Sequence, residues 1–196
     1  MLICFEKCLK VTIGSDVLTA NADVKQVVEV MEPDARVDRM FQVLKQHFRG
    51  NNKILVFVLY KKEAVFVEQL LRKKGYPSAA AIHGDLTQAA RDSVLANFKS
   101  GKNPIMIATD VAARGLDVPD IELVLNYSFP LTIEDYVHRI GRTGRAGKTG
   151  LAITFFTSNE KGLAGALGGV LRQGGIPIPE ALTQWGMGTK RKKHNM

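Results

Sequence analysis

The chain has 196 residues, of which 45% are hydrophobic and 23% are charged, a composition typical of a globular domain with a core. Its net charge is +8, but residues 190–193 contribute four positive charges, so the body of the chain is only mildly basic. The two cysteines lie within the first eight residues, which excludes a disulfide framework, and no run of about twenty apolar residues is present. We therefore expect a reduced, intracellular protein, and its basic balance suits a polyanionic partner.

Apolar periodicity and turn residues predict alternating strands and helices from residue 24 onward. In chain order, the predicted elements are a strand over 24–31, a helix over 33–48, a strand over 54–59, a helix over 62–74, a strand over 79–82, a helix over 87–98, strands over 105–108 and 123–126, a helix over 133–140, a strand over 151–156 and a helix over 158–171. Nearly all of these strands are apolar, which is typical of strands that are covered on both faces. The pattern predicts an α/β fold in which a mostly parallel sheet lies between two layers of helices.

Parallel sheets of this kind bind ligands at the carboxyl ends of their strands, so polar segments that follow strands are candidate sites. One of them, residues 109–117, reads Thr-Asp-Val-Ala-Ala-Arg-Gly-Leu-Asp. Thr109 offers a hydroxyl, Arg114 and Gly115 offer a charge beside bare backbone, and Asp117 offers a carboxylate suited to ribose hydroxyls. An ordinary capped strand–helix turn with surface charges explains this spacing equally well.

A second polar segment, residues 83–91, follows another predicted strand. Gln88 and Arg91 are three residues apart near the start of a predicted helix, so they share one face of it. A helix start with an arginine suits a backbone phosphate, although an ordinary helix with a solvated Arg91 is the better interpretation of this segment alone. No Cys, Asp or Glu set lies at ligand spacing around His83 or His138, so we predict no metal site.

The most unusual segment carries three arginines, Arg139, Arg142 and Arg145, at every third residue, interleaved with glycines and preceded by His138. This spacing predicts that the arginines point to one side. Such a cluster is costly to bury and unnecessary for folding, and a guanidinium matches phosphate oxygens in pairs. We therefore expect the arginines to reach for the phosphates of a nucleotide that is bound largely elsewhere.

The Gly-Lys-Thr sequence at residues 147–149 is a false sign of a phosphate-binding P-loop. That motif requires a glycine five positions before its second glycine, and Arg142 occupies this position. The 196 residues contain no P-loop elsewhere.

Taken together, these segments resemble the DEAD-box RNA helicases. Residues 109–117 resemble motif V of that family, residues 138–145 resemble motif VI, residues 83–91 match its motif IVa region and residues 54–57 look like motif IV. The resemblance covers about residues 24–185. It implies the second, C-terminal RecA-like domain of such a helicase, which is a three-layer α/β/α domain.

The resemblance also implies roles for individual residues. Arg142 and Arg145 would be arginine fingers that stabilise charge on the γ-phosphate of ATP, and Asp117 would contact the ribose. His138 and Arg139 would bridge to the first RecA-like domain, which carries the P-loop and the DEAD box and holds Mg²⁺.

RNA is the second ligand that the resemblance implies. Its backbone would be contacted without regard to sequence, because phosphate and 2′-hydroxyl contacts carry little base information. Tyr60 stands where members of the family often have threonine. The implied RNA-binding residues are Gln88, Arg91, Thr109, Arg114 and Gly115.

We expect residues 1–23 to be a linker from the end of the first domain, 24–185 to be the helicase C-terminal domain, and 186–196 to be a basic, disordered tail. Residues 1–9 match the family poorly, which suggests a truncated or alternative product. Residues 57–64 and the lysine-rich end look closest to the ribosome-biogenesis branch of the family, which acts in the nucleolus. The nucleus and nucleolus are therefore the expected location, with the cytoplasm as the alternative.

The expected function is that of the C-terminal half of an ATP-dependent RNA helicase that unwinds or remodels RNA. Without a P-loop or DEAD box, the chain alone is expected to be nearly inactive. A non-catalytic RNA-binding or adaptor module and one half of a DNA helicase are the alternatives.

Overall fold

The computed structural model describes residues 23–186. In this part of the chain, six strands form one sheet in the order β1-β6-β5-β2-β4-β3, and every neighbouring pair is parallel. The elements are β1 (Val24–Val30), a 3-10 turn (Pro33–Ala35), α1 (Arg36–His47), β2 (Lys53–Val58), α2 (Lys61–Lys73), β3 (Ala80–Ile82), α3 (Gln88–Lys99), β4 (Ile105–Thr109), α4 (Asp110–Ala113), β5 (Ile121–Asn126), α5 (Ile133–Ile140), β6 (Gly150–Phe156), a second 3-10 turn (Ser158–Leu163), α6 (Ala164–Gln173) and α7 (Glu180–Thr183).

Each predicted strand and helix is present within a few residues of its predicted bounds. Two helices begin later than predicted, because α1 and α6 are each preceded by a 3-10 turn. The second of these turns starts at a capping box in which Thr157 and Glu160 satisfy each other's main-chain groups. The short helix α7 was not predicted. The proposed linker and the proposed tail lie outside the described residues, apart from residues 23 and 186.

The two faces of the sheet bury separate apolar clusters, because successive side chains of a strand point to opposite faces. In β2, which is buried along its whole length, Leu55 and Phe57 pack with residues of α3, α5 and α6. Ile54, Val56 and Val58 pack on the other face with residues of α1 and α2. The RecA-like three-layer α/β/α prediction is therefore confirmed. Within residues 23–186, no helix has the length and apolar content needed to cross a membrane.

A tight contact fixes the segment after α5 against the sheet. Thr143 is fully buried, and its hydroxyl donates a hydrogen bond to the carbonyl of Ile121 at the start of β5. Gly150, the first residue of β6, packs so closely beneath Thr143 and Gly144 that a Cβ atom there would overlap both. Residues 141–149 are therefore held between the starts of two neighbouring strands.

Replacing Gly150 with alanine should destabilise the domain, because the added methyl meets the main chain of Gly144 and the buried side chain of Thr143. We expect Gly150→Ala to lower the free energy of unfolding by about 1–3 kcal/mol, measured by urea denaturation. Gly169 in α6 is the matched control, since nothing lies within 4 Å of a Cβ built there. Gly169→Ala should stabilise the helix by about 0.5–1 kcal/mol. Equal urea midpoints for the two variants would disprove the close contact.

Candidate functional site

A buried arginine joins the ends of two strands to α5. The side chain of Arg139 is 1% exposed, and it forms a bidentate ion pair with Asp110, at 2.6 Å from Nε to Oδ1 and 2.7 Å from Nη2 to Oδ2. Its Nη1 donates to the carbonyl of Ser128 at 2.7 Å and approaches Oδ1 of Asn126 at 3.4 Å. The guanidinium carbon lies 4.9 Å from the centroid of the Phe57 ring. Asp110 follows β4 directly, so this pair fixes α5 over the carboxyl ends of β4 and β5.

Two expectations about Arg139 are therefore wrong. The arginine row is not dispensable for folding, because Arg139 lies in the core and is surrounded by partners that offset the cost of removing its charge from water. Nor do the three arginines share one exposed side. All three of its side-chain nitrogens donate hydrogen bonds inside this domain, and its role as a bridge to another domain stays a prediction.

Arg142 and Arg145 follow α5, in the turn that Thr143 holds against the sheet. Nη1 of Arg142 donates to the carbonyl of Leu116 at 3.0 Å, and Nε of Arg145 donates to the carbonyl of Gly141 at 2.7 Å. In the part of the chain that the structure describes, neither arginine forms an ion pair with a carboxylate.

Burial lowers the pKa of Arg142, and the positive charge of Arg145 lowers it further. An arginine nevertheless stays protonated in a protein. Two positive charges in one short turn, hydrogen-bonded to main-chain carbonyls, create a positive potential that favours an anion nearby.

Arg142 also borders a small cleft of about 50 Å³ between α4 and α5. His138 is exposed at this cleft, and Asp135 lies beside it. Arg145 lies instead in a separate cavity of about 360 Å³, together with Asp120 and Lys148. The structure thus brings His138 and Arg142 to one cleft and Arg145 to the next.

Another cavity brings together residues of two predicted segments, 83–91 and 109–117. Gln88 and Arg91 of α3, together with Arg114 and Gly115 of the segment after α4, line a cavity of about 140 Å³. Nε of Arg91 is buried there without a hydrogen-bond partner among the described residues. An unsatisfied buried donor is costly, so an acceptor such as a phosphate oxygen would stabilise this arrangement.

Backbone conformation adds to the accessibility of this cavity. Gly115 has a φ of +74°, which a residue with a side chain rarely adopts, and it leaves the main chain open to a close approach. Gln88 donates to Asp92 at 2.8 Å, on the exposed side of α3. Thr109 ends β4 as a largely buried residue outside the lining of this cavity, and Asp117 is exposed near the end of the same segment.

The sequence did not indicate the partners of Arg139, because Asp110, Asn126 and Ser128 are distant in sequence and nothing in their local pattern marks them. Within residues 23–186, no three His, Cys, Asp or Glu side chains are grouped so that they would hold a metal ion.

Residues 35–147 match the family model described as "Helicase conserved C-terminal domain". The chain is 56% identical over 186 residues to DEAD-box ATP-dependent RNA helicase 5 of Oryza sativa subsp. japonica, which covers 94% of this chain and 36% of that protein. It is 53% identical over 191 residues to ATP-dependent RNA helicase DBP3 of Saccharomyces cerevisiae, which covers 95% of this chain and 36% of that protein.

The chain belongs to the DEAD-box helicases, as a helicase conserved C-terminal domain. It spans about a third of the length of these curated relatives.

Solved structures of DEAD-box proteins have the same fold as this helicase domain. The yeast splicing factor Prp28 matches with a TM-score of 0.76 at 29% identity, covering 93% of this chain and 41% of that one. A DEAD box protein of Methanococcus jannaschii matches with a TM-score of 0.68 at 39% identity, and the match covers 81% of this chain and 42% of that one. The structure of S. cerevisiae Dbp5 bound to RNA and ADP BeF3 matches with a TM-score of 0.69 at 28% identity, and the match covers 81% of this chain and 41% of that one.

Breaking the buried ion pair should destabilise this helicase domain. Asp110→Asn leaves the charge of Arg139 without a counter-charge, and we expect the free energy of unfolding to fall by about 3 kcal/mol in urea denaturation.

The control is Glu122→Gln, which removes an ion pair between Glu122 and Arg49. Their charged atoms are 3.9 Å apart, and the side chains of Glu122 and Arg49 are 55% and 78% exposed. Because exposed pairs contribute little, this change should cost less than about 1 kcal/mol. If Asp110→Asn were as well tolerated as Glu122→Gln, the pair with Arg139 would not hold α5 in place.

Proposed function

We propose that this domain is the C-terminal half of an ATP-dependent RNA helicase, which completes an ATPase site on a first RecA-like domain and binds RNA by its phosphates. The observation that carries this proposal is that Arg142 and Arg145 stand in one anchored turn after the buried Arg139, hydrogen-bonded to main-chain carbonyls and without a carboxylate partner in the described region. Unlike Arg139, these two cations have no carboxylate in the described region to balance their charge, and a triphosphate would supply that negative charge.

In the proposed active site, Arg142 and Arg145 are arginine fingers. Arginines in this role stabilise the charge that develops on a transferred phosphoryl group and contribute factors of about 10³–10⁵ in related NTPases. Thr143 anchors the main chain of the turn that carries them, so the place from which both side chains extend is set before ATP binds. Asp117 is exposed and suits a contact to the ribose hydroxyls.

ATP with Mg²⁺ supplies the phosphoryl group and neutralises part of its charge. The metal would be held by the first domain, which would also supply the P-loop. His138, exposed beside Arg142, suits a contact with that domain. We assign Arg139 a positioning role, because it fixes α5 from within the core.

RNA would lie along the cavity lined by Arg91, Arg114 and Gly115, with Gln88 supporting it and Thr109 at the adjoining strand end. The unpartnered Nε of Arg91 suits a phosphate oxygen. Contacts of this type position a strand without reading its bases, so binding should be independent of sequence.

Ribosome biogenesis in the nucleus and nucleolus is the biological setting that we propose. The resemblance of residues 57–64 to that branch supports it, as does the 53–55% identity to DBP3 helicases of several fungi. In our proposed domain organisation, residues 24–185 form the helicase domain between a linker at 1–23 and a basic tail at 186–196.

The arginine fingers can be tested in a two-domain protein made by fusing the first RecA-like domain of a DEAD-box helicase to this chain. Arg142→Ala and Arg145→Ala should each lower the kcat of RNA-stimulated ATP hydrolysis by about 10³-fold or more, since they act on charge in the transition state. Phosphate release measures the rate. Arg172→Ala, at an exposed arginine of α6, should leave it unchanged.

The chain without a first domain should show no appreciable turnover. ATP hydrolysis by the chain alone at a helicase's rate would contradict the proposal. A fusion that binds RNA but never hydrolyses ATP would instead indicate a non-catalytic RNA-binding module, and equal stimulation by DNA would indicate a DNA helicase.

The RNA surface can be tested by titrating the chain with single-stranded RNA at several salt concentrations. Arg91→Ala and Arg114→Ala should each weaken binding equally for RNAs of different sequence and reduce the slope of log K against log salt concentration by about one. Lys45→Ala is the control, because Lys45 is exposed on α1, which packs on the other face of the sheet. An effect of Lys45→Ala equal to that of the arginine variants would show diffuse charge attraction rather than a site.

A further inference from the structure

Two exposed apolar side chains border one groove at the carboxyl edge of the sheet. Tyr60, immediately after β2, is 62% exposed, and Leu131, between β5 and α5, is 68% exposed. Both line a groove of about 430 Å³. Single exposed apolar residues are common, but two of them on one groove of this size indicate a binding surface.

The walls of this groove are largely apolar, its Arg36 donates hydrogen bonds to Pro33 and Ser128, and its acidic groups are already engaged. Glu63 accepts hydrogen bonds from the main-chain nitrogen of Leu59 at 3.0 Å and from the hydroxyl of Ser128 at 2.6 Å. Glu160 belongs to the capping box that starts the second 3-10 turn. A flat apolar group can therefore enter without displacing a solvated carboxylate. The apolar walls are formed by Leu59, Phe129, Pro130 and Leu163.

A second cavity, about 370 Å³ in volume, lies at the start of α2, which begins directly after Tyr60, and its lining includes two lysines. Lys61 pairs with Asp85 at 2.9 Å, whereas Lys62 pairs with no carboxylate in the described region. His83, which is 9% exposed, lines the same cavity, and its Nδ1 is buried without a hydrogen-bond partner among residues 23–186. Lys62, which has no carboxylate partner in the described region, and the first turn of the 13-residue helix α2 together favour an anion in this cavity.

This position continues the proposed RNA surface. Val58 is paired with Thr109 in the register of β2 and β4, so Tyr60 lies just beyond the strand end where Thr109 stands. His83 directly follows Ile82, which lines the cavity that contains Arg91. The apolar groove, the basic cavity and the arginine cavity thus lie at the carboxyl ends of neighbouring strands, in the order β5, β2, β4 and β3.

We propose that Tyr60 stacks against a nucleobase of single-stranded RNA, with Leu131 on the other side of the groove, while Lys62 and the start of α2 hold the neighbouring phosphate. This inference rests on the proposed binding of RNA and adds a base contact to phosphate contacts. Every base offers a π-face, so the stacking requires no particular sequence. Charge complementarity with the basic cavity and continuity with the arginine cavity both select a nucleic-acid strand as the occupant.

The test compares the full chain and its Tyr60→Ala and Tyr60→Phe variants by titration with two RNAs of equal length. One is single-stranded oligouridylate, and the other is the same backbone with abasic residues throughout. Tyr60→Ala should weaken binding of oligouridylate by about tenfold, whereas Tyr60→Phe, which keeps the ring, should bind as the unmodified chain does. On the abasic RNA, all three proteins should bind equally, because only phosphate contacts remain.

Phe66→Ala is the matched control, since Phe66 is a 51% exposed aromatic residue on α2, the helix that begins directly after Tyr60, and should have no effect. The inference is overturned if Tyr60→Ala binds oligouridylate as tightly as the unmodified chain, if it weakens abasic RNA equally, or if Phe66→Ala has the same effect. Any of these three results would overturn the stacking of Tyr60 on a base without contradicting the proposed function. That proposal fails separately if the unmodified chain binds neither RNA, or if Arg91→Ala leaves binding unchanged.

Discussion

The ion pair between Arg139 and Asp110 is the interaction on which the geometry of the site depends. It connects the middle of α5 to the residue that follows β4, and the hydrogen bond from Arg139 to Ser128 adds the end of β5. A guanidinium can be buried this deeply only because two carboxylate oxygens, a carbonyl and an aromatic face surround it. With α5 fixed in this way, the turn that carries Arg142 and Arg145 leaves the helix at a defined place.

The three arginines of α5 and the turn after it differ in their partners. Arg139 is neutralised inside the core, whereas among the described residues Arg142 and Arg145 donate only to main-chain carbonyls and keep donors for a ligand. Arg91 repeats the second pattern in the cavity on α3, where its Nε lacks a partner among the described residues. Unsatisfied donors of this kind cost stability in the free protein and favour binding of an anion. This contrast distinguishes the arginine that supports the fold from those proposed to bind phosphates.

Much of the fold followed from local patterns in the sequence. The continuous apolar run of β2 and the helical spacing in α1 and α5 identified their elements. The rule that ligands bind at strand ends selected the two segments whose residues Gln88, Arg91, Arg114 and Gly115 line one cavity. The burial of Arg139 could not be predicted in this way. A spacing of three residues shows which side chains share a helix face, but it does not show that β4 and β5 place Asp110 and Ser128 opposite that face. The groove beside Tyr60 was missed for the same reason, since its walls come from three separate strand ends.

A crystal structure of the two-domain fusion with RNA, ADP and beryllium fluoride would test the central claim most directly, because beryllium fluoride stands in for the γ-phosphate. The account predicts that guanidinium nitrogens of Arg142 and Arg145 lie about 2.7–3.2 Å from the fluoride atoms. It also predicts that Arg139 remains buried and paired with Asp110. The account would be contradicted if Arg142 and Arg145 pointed into solvent, or if Arg139 left Asp110 to contact the nucleotide itself.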